Sequence, residues 1–403
     1  MQSYFRYITD KGIANLEHYS YSGVDNSFCA KHFLKHWWNF GVERLTPIWL
    51  APNLITLFGL FCNIGMYLIA YFMFPTLTEA APRWPYFIIA LLIFAYQTLD
   101  NIDGKQARRT KSSSPLGELF DHCCDALSVA MFAIVMSGTI RVGPIWAFVS
   151  CIIGFWPFYL AHWEEYHAGI LVLGEFNGPT EAQVLFIIIE LITGIFTSDI
   201  WTVGPTNFTL GNILIILMAL AAIYSIYTNV HNTFKLPNRM PFTKCLMQLT
   251  PFTIFFVLII IWASTSAMLE SQPHLFIMTI GIIFGYLQSR FITQRVCHDD
   301  CKMFYPILIP LALCVFNSIL IRGGVHSISE LPLLWCMFAL ACVQFLLFAY
   351  FTTHQLCDHL KIKVFTIPYY SQQPTSPGAE VSASLLNAIE EGQVEHVDDD
   401  DKI

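Results

Sequence analysis

The sequence predicts an all-α, polytopic integral membrane protein with about ten transmembrane helices and both termini cytoplasmic, and three observations predict it. Only 12% of the 403 residues are charged, mean hydropathy is +0.54 and 34 residues are phenylalanine, a composition too apolar for a water-soluble domain of this length. Apolar runs close to the ~20 residues that cross a bilayer as a helix recur ten times. Lysine and arginine gather in alternate connections between those runs. The formal net charge of −8 draws heavily on the C-terminal EEGQVEHVDDDDKI and identifies no partner; nothing in the sequence predicts a nucleic-acid ligand.

Taken in order, residues 1–50 form a cytoplasmic N-terminal segment. Its first 20 residues lack a basic stretch followed by an apolar core, so insertion falls to the first span. FCAKHFLKHWWNFGVERL, residues 28–45, sets Phe, Trp and Leu beside Lys, Arg and His, the composition of an amphipathic helix lying in the headgroup region. Residues 51–355 form one transmembrane domain. Its runs fall at about 54–74, 83–99, 122–140, 143–161, 183–201, 209–229, 250–269, 273–289, 303–321 and 331–353.

With the N-terminus inside, ten basic residues occupy cytoplasmic connections: Lys105, Arg108, Arg109, Lys111, Lys235, Arg239, Lys244, Arg290, Arg295 and Lys302. Only three, Arg83, Arg141 and Arg322, occupy opposite ones, which supports an even number of spans. The connection from His162 to Glu181, HWEEYHAGILVLGEFNGPTE, should also be cytoplasmic but carries acids in place of Lys or Arg, and acids weigh little in this rule. The sequon at Asn207 falls on the other side, too close to both adjacent spans for use to be expected. Residues 356–403 return to the cytoplasm. Beyond about residue 371 the small, polar and acidic residues cannot repay the entropy of ordering, apart from a short helix around 385–389. The 12 cysteines show no metal or disulfide spacing and read as small buried apolar residues.

One stretch breaks the apolar pattern. LDNIDGKQARRTKSSSPLGELFDHCCDALSV, residues 99–129, places Asp100 and Asp103 where the second span ends and Asp121 and Asp125 where the third begins. Spacings of i, i+3 and i, i+4 put each pair on one helical face, and the short connection should make the two spans antiparallel neighbours. Four carboxylates brought together at a membrane rim repel one another and need cations. A hard divalent ion, Mg²⁺ or Mn²⁺, takes oxygen ligands and keeps positions open for phosphate oxygens. Gly104 permits a turn or the close approach of a bulky anion at the helix end, and Lys105, Arg108 and Arg109 could meet that anion. KQARRTK by itself also fits a solvated loop. Acids entering an apolar span are costly and mark function, so these residues predict a metal-dependent site for a phosphorylated ligand.

The spacing resembles the CDP-alcohol phosphotransferase family, also called the CDP-alcohol phosphatidyltransferase class-I family: Asp100, Asp103-Gly104, Ala107-Arg108, Gly117, Asp121 and Asp125 fall on its pattern without departure. DGKQARRTKSSSPLGELFDH, the preceding WLAPNLIT and the ten-span length are similar to the eukaryotic choline/ethanolamine phosphotransferase branch. That resemblance implies transfer of a phosphoalcohol from CDP-choline or CDP-ethanolamine to diacylglycerol, with release of CMP. It implies two bound Mg²⁺ or Mn²⁺ ions, a homodimer, and a multi-pass endoplasmic reticulum or Golgi membrane location with the site facing the cytosol. Gly104, Ala107 and Gly117 would let helices and nucleotide come close. Asn53 and Thr56 match positions near the nucleotide, with a plain helix cap as the alternative for Asn53. Glu118 is a weaker candidate for a nucleotide or metal contact.

On this reading Asp100, Asp103 and Asp121 hold metal, and Asp125 is a fourth ligand or takes the hydroxyl proton. Metal coordination weakens a carboxylate as a base. His122, beside the cluster, is the competing base. Glu164, Glu165, His167, Asn177, Glu181, Gln288 and Arg295 are polar residues at the same rim that could line the head-group or acceptor entrance. Within the family an inositol-type enzyme is the alternative, although such relatives are much shorter. From another class, an ion-coupled transporter would predict midplane polar breaks and internal symmetry, and no repeat is evident.

Overall fold

The computed structural model describes residues 6–19, 23–174, 178–205, 208–236 and 240–367. Asn177, Arg239, the sequon asparagine Asn207 and the C-terminal tail beyond residue 371 therefore lie outside the described residues. A short helix α1 (Asp10–Asn15) opens with the Thr9 hydroxyl accepting from Gly12 N–H. The three-residue strand β1 (Gly23–Asp25) pairs in parallel with β2 (Leu171–Leu173). Residues 30–45 are helical throughout, with α2 (Lys35–Phe40) between two single-turn π-helical stretches. Trp38 and Val42 are buried while Phe33, Phe40 and Leu45 are exposed, the two-faced pattern expected of an interfacial helix.

The remaining helices are α3 (Pro52–Met73), α4 (Trp84–Arg109), α5 (Pro115–Thr139), α6 (Gly143–Ala168), α7 (Pro179–Phe196), α8 (Leu210–Lys235), α9 (Phe242–Thr265), the four-residue α10 (Met268–Ser271), α11 (Pro273–Val296), α12 (Leu308–Arg322) and α13 (Glu330–Leu360). Proline stands in the first turn of six of them, α3 to α7 and α11, where its missing N–H costs nothing. Each apolar run of the sequence became one helix. Among the described residues nine are long and apolar enough to cross a membrane, and α12, with 15 residues, is shorter.

The helices alternate in direction, which gathers the start of α3 and α5 and the end of α4, α6, α11 and α13 at one rim. Tyr7 N–H donates to Gln355 Oε1 and Asn53 Nδ2 to the Val364 carbonyl there, so the described N-terminal and C-terminal segments share that rim. At the opposite rim Arg141 pairs with Asp199 and Arg322 with the Ser264 carbonyl. The short α12 follows the same alternation, from Tyr305 near Gln294 at the first rim to Arg322 at the second.

Two helices form the centre. Almost every residue of α11 is buried, and α5 is the next most enclosed. Glycines bring neighbours onto α5: a Cβ on Gly154 of α6 would lie 2.6 Å from Val129, and one on Gly281 of α11 would lie 2.3 Å from Ala130. Outer faces, such as Leu217, Leu220 and Ile223 of α8, remain exposed and apolar, as lipid-facing surfaces do.

Several expectations are corrected. The second and third spans do not end at the aspartates: α4 continues to Arg109 and α5 begins at Pro115, so the cluster sits inside helices joined by a five-residue connection. HWEEYH is the last turns of α6 and not a loop. Arg290 and Arg295 belong to α11 and are not loop residues, although they lie at the expected rim. The antiparallel α4 and α5 meet through side chains such as Tyr96 and Asp125 rather than along their backbones, and α3 packs on both.

Candidate active site

α3 packs on both α4 and α5, and the aspartate side chains of those two helices converge at the rim. Carboxylate oxygens of Asp100, Asp121 and Asp125 lie within 4.8 Å of one another. Tyr96, one turn before Asp100 on α4, donates its hydroxyl to Asp125 Oδ1 at 2.6 Å. Asp103 is buried and takes the Thr56 hydroxyl from α3. It stands outside the converging trio. Asp121 Oδ1 is buried with no hydrogen-bond partner among the described residues. An orphaned carboxylate oxygen between two others has the donor chemistry of a hard divalent ion site, so the residues fit Mg²⁺ or Mn²⁺.

Next to this trio, α3 and α5 meet closely. A Cβ on Gly117 would lie 3.5 Å from Asn53 Oδ1. Asn53 is the second residue of α3, behind Ala51 at the cap and Pro52, so it does not cap the helix; its amide ties the C-terminal segment at Val364. Gly104 makes no turn, since α4 runs five residues further; a Cβ there would meet only the Arg108 guanidinium at 3.7 Å, which leaves the close-approach reading. Lys105, Ala107 and Arg108 follow on α4, with Arg108 exposed at the rim. Arg109 is drawn away from any ligand: its Nη1 donates to the Val42 and Thr46 carbonyls and pins the interfacial helix. Buried Gln106 does the same through the Pro47 and Leu50 carbonyls.

A second polar group surrounds His122, where α5 meets α6 and α11. Arg295 pairs with Glu118, and its Nη1 lies 3.3 Å from Glu165 Oε1. Tyr19 donates to Glu118. The residue expected to contact nucleotide or metal is thus engaged by Arg295 and Tyr19. The His122 ring meets His162 edge to face, centroids 4.9 Å apart. Glu164 points elsewhere and accepts from Asn232 Nδ2 of α8 at 3.0 Å. His167 and Trp163 share Gln248 of α9. Glu181 accepts from Cys29 N–H and so anchors the N-terminal segment, while Gln288 is wholly buried in α11 without a hydrogen-bond partner among the described residues.

Sequence reasoning missed Tyr96, His162 and Tyr19. Tyr96 had a findable signal, a tyrosine at i−4 from Asp100 on one helix face. His162 precedes Glu165 by three residues, also one face, but belonged to a stretch read as loop. Tyr19 lies 99 residues from its partner, and no local pattern reports such a contact.

A family model described as CDP-alcohol phosphatidyltransferase matches residues 49–195, which include all four aspartates, His122, Glu118 and Glu165. The chain is 67% identical over 392 residues to an uncharacterized CDP-alcohol phosphatidyltransferase class-I family protein of Dictyostelium discoideum, covering 97% of this chain and 95% of that one. It is 35% identical over 389 residues to choline/ethanolaminephosphotransferase 1 of Arabidopsis thaliana, covering 90% and 98%. It is 32% identical over 370 residues to cholinephosphotransferase 1 of Rattus norvegicus, covering 89% and 91%.

Proposed function

The chain belongs to the CDP-alcohol phosphatidyltransferase family, and on that premise we propose that it transfers phosphocholine or phosphoethanolamine from the CDP ester to the free hydroxyl of diacylglycerol, forming phosphatidylcholine or phosphatidylethanolamine and releasing CMP. The observation that carries the reading is the convergence of Asp100, Asp121 and Asp125 at one end of a bundle of apolar helices. A charged nucleotide and a two-chain lipid can both be solvated only at that plane.

Asp100, Asp121 and Asp125, with Asp103 beside them, would hold two Mg²⁺ or Mn²⁺ ions. Such ions, when bound, neutralise charge on the attacked and leaving phosphates. The chain's own residues supply position and proton transfer. Thr56 and Tyr96 fix the rotamers of Asp103 and Asp125. Gly104, Ala107 and Gly117 leave room for the cytidine ligand, with Asn53, Thr56, Lys105 and Arg108 along its edge and Glu118 behind. The diacylglycerol hydroxyl needs a base, either His122 or Asp125. His122 faces the polar group of Glu118, Glu165 and Arg295, which suits it to the acceptor side, whereas Asp125 belongs to the ligand trio.

The Lys and Arg distribution supports a cytoplasmic site with both termini on that side, and family resemblance supports an endoplasmic reticulum or Golgi membrane and a homodimer. The testing experiment gives the purified protein diacylglycerol with CDP-choline or CDP-ethanolamine, in Mg²⁺, Mn²⁺ or chelator. Transfer with CMP release, lost in chelator and in Asp100→Asn, is expected. Failure to use either CDP ester, or full turnover in chelator, would overturn the reading.

A further inference from the structure

A second set of ligating atoms lies on the face of α5 turned to α6. His122, His162 and Glu165 each present one, and these atoms lie within 4.8 Å of one another. The three residues are 7%, 3% and 2% exposed, yet His122 Nδ1, His162 Nε2 and Glu165 Oε2 have no hydrogen-bond partner among the described residues. One buried orphan is costly, and three on converging side chains call for a shared occupant.

The chemistry of the set identifies the occupant. His162 Nδ1 lies 2.9 Å from the Phe158 carbonyl, which can only accept, so the proton sits on Nδ1 and the lone pair on Nε2. A ring held through one nitrogen by a backbone carbonyl, with the other left open, is how proteins orient metal-bound histidines. His162 and Glu165 share a face of α6, and His122 reaches them from α5. Arg295 Nη1 pairs with Glu118 and with the other Glu165 oxygen, so one guanidinium faces two carboxylates and an excess negative charge remains. Two imidazole nitrogens and one carboxylate oxygen suit a borderline ion; Mg²⁺ prefers the all-oxygen aspartate set.

We propose that His122, His162 and Glu165 bind a zinc-type divalent ion at a site separate from the aspartates. Ligands about 2.0–2.2 Å from zinc lie roughly 3.4 Å apart, so the side chains need close inward by no more than about an ångström on binding. An imidazole metallated at Nδ1 keeps its proton on Nε2 and has no lone pair left to act as a base. Occupancy therefore also slows transfer; this consequence rests on the proposal that His122 is the base, while the binding does not.

The test uses the purified full-length protein in lipid nanodiscs with excess Mg²⁺, and Co²⁺ as a visible probe for zinc. One Co²⁺ per chain is expected, with the strong visible absorption of a low-coordinate site, displaced by Zn²⁺ and not by Mg²⁺. His162→Ala and the near-isosteric Glu165→Gln should each weaken Co²⁺ binding about tenfold or more, and Asp100→Asn should retain it. Co²⁺ binding unchanged in both variants, absent in wild type, or lost in Asp100→Asn or on adding Mg²⁺, would overturn the site. Co²⁺ bound through these residues with transfer unslowed would support the site and remove His122 as the base.

Discussion

Tyr96→Phe removes one oxygen from the candidate active site and little else. The hydroxyl donates to Asp125 Oδ1 at 2.6 Å, and the ring packs against Phe132 with centroids 5.5 Å apart, a contact phenylalanine keeps. A hydrogen bond to a carboxylate contributes about 1.5–3 kcal/mol, and each ~1.4 kcal/mol is tenfold, so the expected loss is roughly tenfold to a hundredfold. Where it falls depends on the role of Asp125. If Asp125 is a metal ligand, half-saturating Mg²⁺ rises by that factor and excess Mg²⁺ restores the rate. If Asp125 takes the proton, the Mg²⁺ requirement stays and the saturated rate falls. The assay is head-group transfer to diacylglycerol across a Mg²⁺ titration, with thermal unfolding as the control for folding. A variant with both quantities unchanged would refute the assignment of Asp125 to a working cluster held by Tyr96.

His122→Ala should cut transfer about 10²-fold or more with CDP-alcohol binding retained by calorimetry, whereas Asp125→Asn should lose nucleotide affinity along with turnover if it is a ligand; near-normal turnover and pH profile in His122→Ala would eliminate the histidine. Gly281→Ala puts a Cβ 2.3 Å from Ala130, so overpacking of about 1–3 kcal/mol should lower the unfolding temperature, and Ala130→Gly in the same chain should recover most of it; no recovery would mean that α5 and α11 do not approach there. In sealed vesicles, cysteines placed between Lys105 and Lys111 and near both termini should react with cytosolic-side reagents. Protection of the 105–111 segment would reverse the proposed orientation.

The sequence by itself determined the number and placement of the helices, because a bilayer imposes a length and an apolar composition that can be read residue by residue. It also singled out four carboxylates that the structure places on neighbouring helices at one rim: Asp100, Asp103, Asp121 and Asp125 sit at helical spacing in segments where an unpaired acid is costly. Helix ends were less legible. The polar residues that looked like loop, KQARR and HWEEYH, are terminal turns, since helices continue past the apolar run wherever the backbone must still bond internally. Only the tertiary structure decided how the pieces meet. Packing of α3 against both α4 and α5 sets Thr56 on Asp103 and leaves Asp100, Asp121 and Asp125 as the converging trio. Glycines at 154 and 281 bring α6 and α11 onto α5, and with them His162, Glu165 and Arg295 to the side of His122. Those contacts join residues tens to hundreds of positions apart, and they depend on side-chain volume at a crossing point, which no local period records.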